Sequence, residues 1–91
     1  MYKISNRSFR QAKKLNVEIY PSTRKGKKID VYKKGKKVAS IGALGYNDYN
    51  SFLKKYGKAY AEEKRKAYYK RHANKIKVKY SPGYYAAKIL W

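Results

Sequence analysis

The chain has 91 residues, of which 25 are Lys or Arg and 5 are Asp or Glu, so its formal net charge at pH 7 is +20. This length allows one domain with a thin core, and the absence of cysteine excludes disulfides and thiolate metal sites. No apolar run approaches the ~18 residues of a membrane span, and MYKISNRSF lacks the apolar centre of a signal peptide, so we expect a soluble protein made in the cytosol.

Aromatic residues compensate for a modest aliphatic content: the chain has 12 Tyr, 2 Phe and 1 Trp. Each ring can bury a large rigid surface, and a tyrosine hydroxyl can stay hydrated while it does so. We therefore expect an aromatic core that lies close to the surface.

The first 16 residues predict a short helical segment. Apolar residues recur at helical spacing over residues 9–15, with Ser8 as a possible N-cap and Asn16 able to end the helix. The next residues, VEIY, alternate between apolar and polar and stop before a proline, which predicts a strand over residues 17–20.

A β-hairpin is the clearest local feature of the chain. The segments KIDVYK and KVASIGA flank a Lys-Gly-Lys turn, where Gly35 can supply the positive φ that a tight hairpin requires. Because side chains alternate along a strand, Ile29 and Val31 share one face while Asp30 and Tyr32 share the other. We expect the first face to pack and the second to stay exposed.

After GALGYN the pattern becomes helical, with Gly57 expected to divide a short helix from a longer one. Asn47 or Asp48 can cap the first of these helices. The stripe expected to form its buried side consists of Tyr49, Leu53, Tyr56 and Tyr60.

The longer helix is predicted from Lys58 to about Asn74. The segment IKVKY, residues 76–80, predicts one further strand, and Ser81-Pro82 predicts a final helix over residues 82–90. The chain is thus expected to form one basic α+β domain: a small antiparallel sheet of two to three strands with a central hairpin, packed with three to four helices. Its regions are an N-terminal helical segment (1–16), a β-hairpin region (17–46) and a helical region (47–91).

Candidates for catalysis are few. Glu62 and Glu63 are the only adjacent acids, and neighbours on a helix point about 100° apart. His72 stands among cations, whose field disfavours binding of a metal ion. The glycines between the hairpin and the first tyrosine-rich helix match no phosphate loop or dinucleotide fingerprint. We expect no enzyme activity, metal, cofactor or small-molecule substrate.

The net charge favours a polyanionic partner, and nucleic acid is the commonest one, with DNA expected over RNA. Lysines and arginines that neutralise phosphates release condensed counterions, which makes such binding strong and sensitive to salt. Tyr68 and Tyr69 interleave with helix cations, although we expect Tyr60 and one of this pair to pack in the core. The predicted phosphate contacts are Arg24, Lys25, Lys27, Lys28, Lys33, Lys34, Lys36 and Lys37 along the hairpin ribbon, and Lys64, Arg65, Lys66, Lys70 and Arg71 on the helix, with Tyr32 as an exposed aromatic.

Two other interpretations remain open. The cations can form a solvated face that only maintains solubility, or they can bind acidic surfaces of other proteins, such as capsid proteins. In the second case Tyr84, Tyr85 and Trp91 are the predicted interface anchors. The terminal tryptophan can either close the small core or dock into a neighbour, and we expect the former.

Three motifs occur in order along the chain. A hairpin ends in a Gly-Ala-x-Gly-Tyr turn (Gly42–Tyr46), a basic helix closes on Arg-His (Lys64–His72), and a Ser-x-x-Tyr-Tyr-Ala segment ends in Ile-Leu-Trp (Ser81–Trp91). In these motifs the chain, over roughly Lys13 to Trp91, resembles a family of short basic proteins of unknown function from large nucleocytoplasmic DNA viruses.

The resemblance implies a viral setting and brings no established activity. This chain has Lys64 and Lys66 where arginine often appears, which weakens bidentate phosphate recognition there. We expect a non-enzymatic virion component, located in the virion or in the cytoplasm or nucleus of the infected cell. It would bind nucleic acid largely without sequence preference, and the alternative is a minor capsid or cement protein.

Overall fold

The computed structural model, which describes residues 2–91, contains a three-stranded antiparallel sheet and five helices. In chain order the elements are α1 (Asn6–Lys14), β1 (Glu18–Pro21), β2 (Lys27–Lys33), β3 (Lys36–Ala43), α2 (Tyr49–Tyr56), α3 (Lys58–Arg71), α4 (Ala73–Ile76) and α5 (Pro82–Leu90). The predicted α+β class is confirmed, with one more short helix than the sequence indicated.

The predicted hairpin forms around β2, the central strand of the sheet. The two turn residues, Lys34 and Gly35, both have positive φ, at 51° and 78°, as the tight hairpin turn whose twist matches its strands requires. Ile29 lies opposite Ile41 on β3, and Val31 lies opposite Ile19 on β1. These pairs bring the apolar face of all three strands into register.

The core lies between this face and the helices α1 and α5. Helix α5 packs against β3, and α1 packs against both α5 and β1. The hydroxyl of Ser8 is buried and donates to the carbonyl of Ile89 at 2.9 Å, which ties the two helices together. Trp91 follows α5 and is buried, so the chain's last residue closes the core as expected.

The other face of β2 was expected to be exposed, and this was wrong for two of its residues. Lys28 and Asp30 are only 5% and 2% exposed. Asp30 accepts hydrogen bonds from the hydroxyls of Ser22 and Ser40, at 2.6 and 2.7 Å, while Lys28 reaches the start of α2. Burial is tolerated because both polar groups are hydrogen-bonded.

The predicted ends of α1 and β1 need small corrections. Helix α1 begins at Asn6 rather than at residue 9, because Ser5 rather than Ser8 is the N-cap. The Ser5 hydroxyl accepts the backbone N–H of Ser8 at 3.1 Å. Strand β1 is shifted by one residue from the prediction and includes Pro21.

The strand predicted over residues 76–80 was wrong. Helix α4 extends to Ile76, and the backbone N–H groups of Lys77 and Val78 donate to the carbonyls of Ala73 and Lys75. Because these local turn bonds use the donors that a strand would need, the alternating pattern of IKVKY does not produce a strand. Helix α5, by contrast, has the predicted bounds and Ser81 as its N-cap.

The aromatic stripe predicted across α2 and α3 was wrong for three of its four residues. Tyr49 is buried, whereas Leu53, Tyr56 and Tyr60 are exposed. Gly57 divides the two helices as expected, at φ 89°, and the change of chain direction there means that a helical spacing carried across it does not define one buried face. Ala61 joins the core beside Tyr49, and the partly buried Phe52, Tyr68 and Tyr69 pack against it, so the expectation that one of the Tyr68/Tyr69 pair packs is met by both.

Candidate nucleic-acid interface

Most of the few carboxylates are engaged inside the fold. Within residues 2–91, four of the five accept hydrogen bonds from other groups of the chain. Two side-chain ion pairs form in this part of the chain, Lys28–Asp48 at 3.1 Å and Lys37–Asp30 at 3.8 Å. Five carboxylates can offset only five of the 25 Lys and Arg charges, so most of the positive charge has no counter-charge within the chain.

Lys28 does not present its charge to solvent as predicted. Its Nζ atom donates to the carbonyl of Tyr46 at 2.6 Å and to Oδ2 of Asp48 at 3.1 Å. Asp48 is itself the N-cap of α2 and accepts a 2.7 Å bond from the Tyr2 hydroxyl. Lys28 therefore holds α2 against β2 and is a structural cation.

Arg65 is the second predicted contact that points inward. Its Nε atom donates to the backbone oxygen of Trp91 at 2.7 Å, and its guanidinium lies 4.7 Å from the Tyr69 ring centroid. Arg7 donates to the same oxygen at 3.2 Å. These two arginines hold the end of the core rather than an external anion.

The remaining hairpin cations separate into two groups. Arg24 and Lys25 are exposed in the turn before β2, and Lys27 is half-buried at the start of that strand. Lys33, Lys34, Lys36 and Lys37 surround the hairpin tip, at the far end of a strand about 20 Å long. Because β2 is bonded to strands on both sides, the hairpin is not the separate two-stranded ribbon that the sequence suggested.

The predicted aromatic of the hairpin, Tyr32, is half-buried rather than exposed. Its ring lies edge-on to that of Tyr20, with the centroids 5.5 Å apart. Tyr20 is the more exposed of the two and donates to Glu18 at 2.8 Å.

The cations of α3 do not form one stripe. Successive helical residues turn by about 100°, so Lys66 and Lys70 share one side while Lys64 and Arg71 share another. All four are exposed. Lys64 also lies 5.3 Å from the ring centroid of Tyr60, beside the exposed aromatics of α2.

Two of the three predicted interface anchors are buried in the chain's own core. Tyr85 is almost completely buried, and Trp91 stacks on Tyr68 with the rings 4.5 Å apart and 10° from parallel. Tyr84 is half-buried. As the fold stands, Tyr85 and Trp91 are not surface anchors.

A cleft of about 500 Å³ opens beside the hairpin tip, and we call it the basic cleft. It lies where the end of α1, the hairpin turn and the segment before α5 meet. Its lining residues are Lys14, Leu15, Asn16, Lys33, Lys34, Lys79, Tyr80, Tyr84 and Tyr85.

Unusual backbone conformations concentrate in the basic cleft. Among residues 2–91, three non-glycine residues have positive φ: Asn16 at 58°, Lys34 at 51° and Tyr80 at 68°. All three line the cleft. Asparagine adopts this conformation readily, but for a bulky residue such as tyrosine it is a genuine outlier. The hairpin turn accounts for Lys34 and the end of α1 for Asn16, so Tyr80 is left as an outlier of the kind that clusters at functional sites.

The sequence interpretation identified Lys33 and Lys34 but missed Lys14, Lys79 and Tyr80. The sequence did contain a pattern that indicates a packed position for Tyr80. This residue directly precedes the N-cap Ser81 and lies five residues before Tyr85. Apolar residues at these two positions pack together as a hydrophobic staple, and the two ring centroids are 6.5 Å apart. Lys14 and Lys79 carried no local signal, because only packing of α1 and α5 brings them to the hairpin tip.

Neither a metal-binding cluster nor a membrane-spanning helix is found in residues 2–91. No group of three or more His, Cys, Asp or Glu side chains in this part of the chain is arranged to hold a metal ion. None of the described helices combines the length and apolarity that crossing a membrane requires.

The comparison with known families finds one similarity. A family of unknown function (DUF5754) matches residues 17–51, which include the whole sheet and extend into α2. The turn at 42–46 falls within this match, whereas the motifs at 64–72 and 81–91 lie outside it. Comparisons with curated proteins and with solved structures give no significant match. The chain is therefore similar to this family over its sheet region.

Proposed function

We propose that this protein is a non-enzymatic nucleic-acid-binding protein that recognises phosphates largely without regard to sequence. The single observation that carries the proposal is the excess of cations over carboxylates. Asp48 and Asp30 already pair with Lys28 and Lys37, and the five carboxylates together leave a net charge of +20 for an external polyanion to neutralise.

The phosphate-binding surface has three parts in this proposal. The first part is the basic cleft, which is lined by Lys14, Lys33, Lys34 and Lys79. The second is the turn at the opposite end of β2, with Arg24 and Lys25. The third is α3, which has exposed cations on more than one of its sides. Lys28 is excluded because its ammonium group is buried and bonded to Tyr46 and Asp48, and Arg65 because its guanidinium is held against Trp91 and Tyr69. Cations distributed in this way suit contact with a backbone and supply no arrangement for reading base edges.

The capsid or cement alternative receives less support. Its anchors were to be Tyr84, Tyr85 and Trp91, and burial removes two of them from the surface. A solvated face that only maintains solubility is disfavoured by the size of the charge, since self-repulsion at +20 destabilises the compact state.

The setting proposed is a large DNA virus, with the protein in the virion or in the infected cell and DNA as its principal partner. Support comes from the motif resemblance alone. The family match over residues 17–51 includes the first motif and is silent on origin.

Equilibrium binding to a labelled random-sequence duplex across a salt series tests the proposal, with heparin as competitor. We expect a linear log–log plot whose slope is about −0.9 for each phosphate neutralised, with binding retained near 0.15 M salt. Loss of all binding by 0.15 M salt, where the Debye length is ~8 Å, would contradict it. If the protein still binds a purified acidic virion protein at a salt concentration that abolishes duplex binding, the result would instead favour the capsid role.

A further inference from the structure

Phosphate binding alone does not explain the aromatic residue in the basic cleft. Tyr80 is 54% exposed, although it is one of the chain's large rings and lies next to the buried Tyr85. The ammonium groups of Lys33 and Lys79 lie over its ring, 4.4 and 5.6 Å from the centroid. A half-exposed aromatic ring thus lies under two mobile cations, and a base that stacks on the ring would displace an ammonium group from it toward the neighbouring phosphate.

The Tyr80 ring is held in place by its neighbours. It packs at 6.5 Å from Tyr85, and Tyr84 meets it edge-on at 6.0 Å. Its positive φ, 68°, is costly for a bulky residue and persists only where the surroundings determine it. The fold therefore fixes a ring face in the cleft rather than leaving a mobile side chain on the surface.

We propose that the basic cleft binds an unpaired nucleotide of a single-stranded nucleic acid. The base stacks against Tyr80, and Lys14, Lys33, Lys34 and Lys79 hold the phosphates on either side of it. This inference rests on the proposed function and gives it a preference for single strands at this one site.

The geometry favours a single strand over a duplex at the cleft. Stacking on a protein ring requires a base whose face is accessible, and paired bases within a duplex already stack on each other. The cleft volume of about 500 Å³ is within the range of sites that enclose a small ligand. Other cations of the surface remain available to a duplex, so duplex binding does not depend on Tyr80.

The test compares two labelled eight-nucleotide strands that have equal numbers of phosphates. One is oligothymidine, and the other is the same backbone with every base removed. Affinities are measured by fluorescence anisotropy for the wild-type chain, for Tyr80→Leu and for Tyr46→Leu. Leucine keeps an apolar contact with Tyr85 but removes the ring face. Tyr46 is 76% exposed and lies outside the cleft, so it makes a matched control.

We expect the wild type and Tyr46→Leu to bind oligothymidine about 5- to 100-fold more tightly than the abasic strand, because base stacking contributes on this scale. Tyr80→Leu should lose that preference while its affinity for the abasic strand and for random duplex stays unchanged. If leucine at position 80 prevents folding, Tyr80→Asn replaces it, since asparagine tolerates positive φ.

Equal binding of the two strands by the wild type would overturn the inference and leave the proposed function standing. A preference that Tyr80→Leu retains would overturn it as well. If neither strand nor the duplex binds, both the proposed function and this inference fail. Two double variants test which cations contact the strand. Lys33→Gln/Lys79→Gln should weaken oligothymidine binding more than Lys66→Gln/Lys70→Gln does. Equal weakening would contradict the cleft as the binding site.

Discussion

The Nζ atom of Lys28 lies 3.1 Å from Oδ2 of Asp48 at a point where both side chains are almost completely buried. This pair joins the central strand β2 to the N-cap of α2, since the Asp48 side chain also accepts the N–H of Ser51. One carboxylate thus neutralises a buried cation and starts a helix.

Removal of this carboxylate should strongly destabilise the fold. Asp48→Ala leaves the Lys28 charge buried without a counter-ion and removes the cap, so we expect a loss of about 3 to 5 kcal/mol in the free energy of unfolding. The double variant Lys28→Met/Asp48→Asn should recover most of this loss, because asparagine still caps and no charge stays buried. Urea denaturation measures both, and equal losses in the two variants would show that the ion pair is not the cause.

Acid should weaken the contribution of Asp30. Burial alone would raise the pKa of this carboxyl, but hydrogen bonds from Ser22, Ser40 and the Thr23 N–H, together with the Lys37 charge, lower it below the ordinary value of 3.8. A group with a lowered folded pKa stabilises the fold above its unfolded pKa, and this stability is lost as pH falls through the folded value.

Asp30→Asn should therefore be less stable than the wild type by about 1 to 3 kcal/mol at pH 7. The difference should shrink steadily below about pH 4. Thermal melts between pH 7 and pH 2 measure it, with Glu63→Gln, an exposed change on α3, as control. A stability difference that does not vary with pH would contradict the lowered pKa.

Gly42 should tolerate substitution much less well than Gly45. Both have positive φ, at 76° and 89°, so alanine is strained at either position. A Cβ atom at Gly42 would also lie 2.7 Å from Leu90 Cδ1 and 2.9 Å from Lys28 Cδ, whereas Gly45 has open space around it. We expect Gly42→Ala to cost about 1 to 3 kcal/mol more than Gly45→Ala. Similar unfolding midpoints for the two variants would show that α5 does not approach β3 this closely.

Trp91 should be essential to the fold rather than to an interface. Its ring stacks on Tyr68, and its backbone oxygen accepts bonds from Arg7 and Arg65. Trp91→Ala should cost about 3 to 5 kcal/mol and reduce nucleic-acid binding only through unfolding. A stable, folded Trp91→Ala variant that binds duplex normally but fails to bind a capsid partner would revive the anchor interpretation.

Salt dependence should distinguish exposed cations from buried ones. Lys33→Gln/Lys34→Gln should make the log–log slope for binding shallower by as much as ~2 units, because each lost phosphate contact removes about 0.9. Lys28→Met/Asp48→Asn removes a buried pair of opposite charges and should leave the slope unchanged. A reduced slope in the second variant would show that Lys28 contacts phosphate after all.

Features that depend on a few neighbouring residues could be predicted without the structure. The positive φ at Gly35, the break at Gly57 and the caps at Asp48 and Ser81 all follow from local chemistry, and each is found where the sequence indicated. Composition likewise fixed the excess of positive charge, since no arrangement of five acids can neutralise 25 cations.

Tertiary structure alone decided which charges face solvent and which meet each other. Lys28 and Lys33 are similar in sequence context, but one is buried against α2 and the other lines the basic cleft. The cleft joins Lys14 and Lys79, 65 positions apart, because α1 and α5 pack together beside the sheet. The spacing of apolar residues in a sequence indicates single helices and strands. It carries no information on which residues of different elements meet in the fold. The site is a product of packing between distant segments, and its position follows from the core that holds them together.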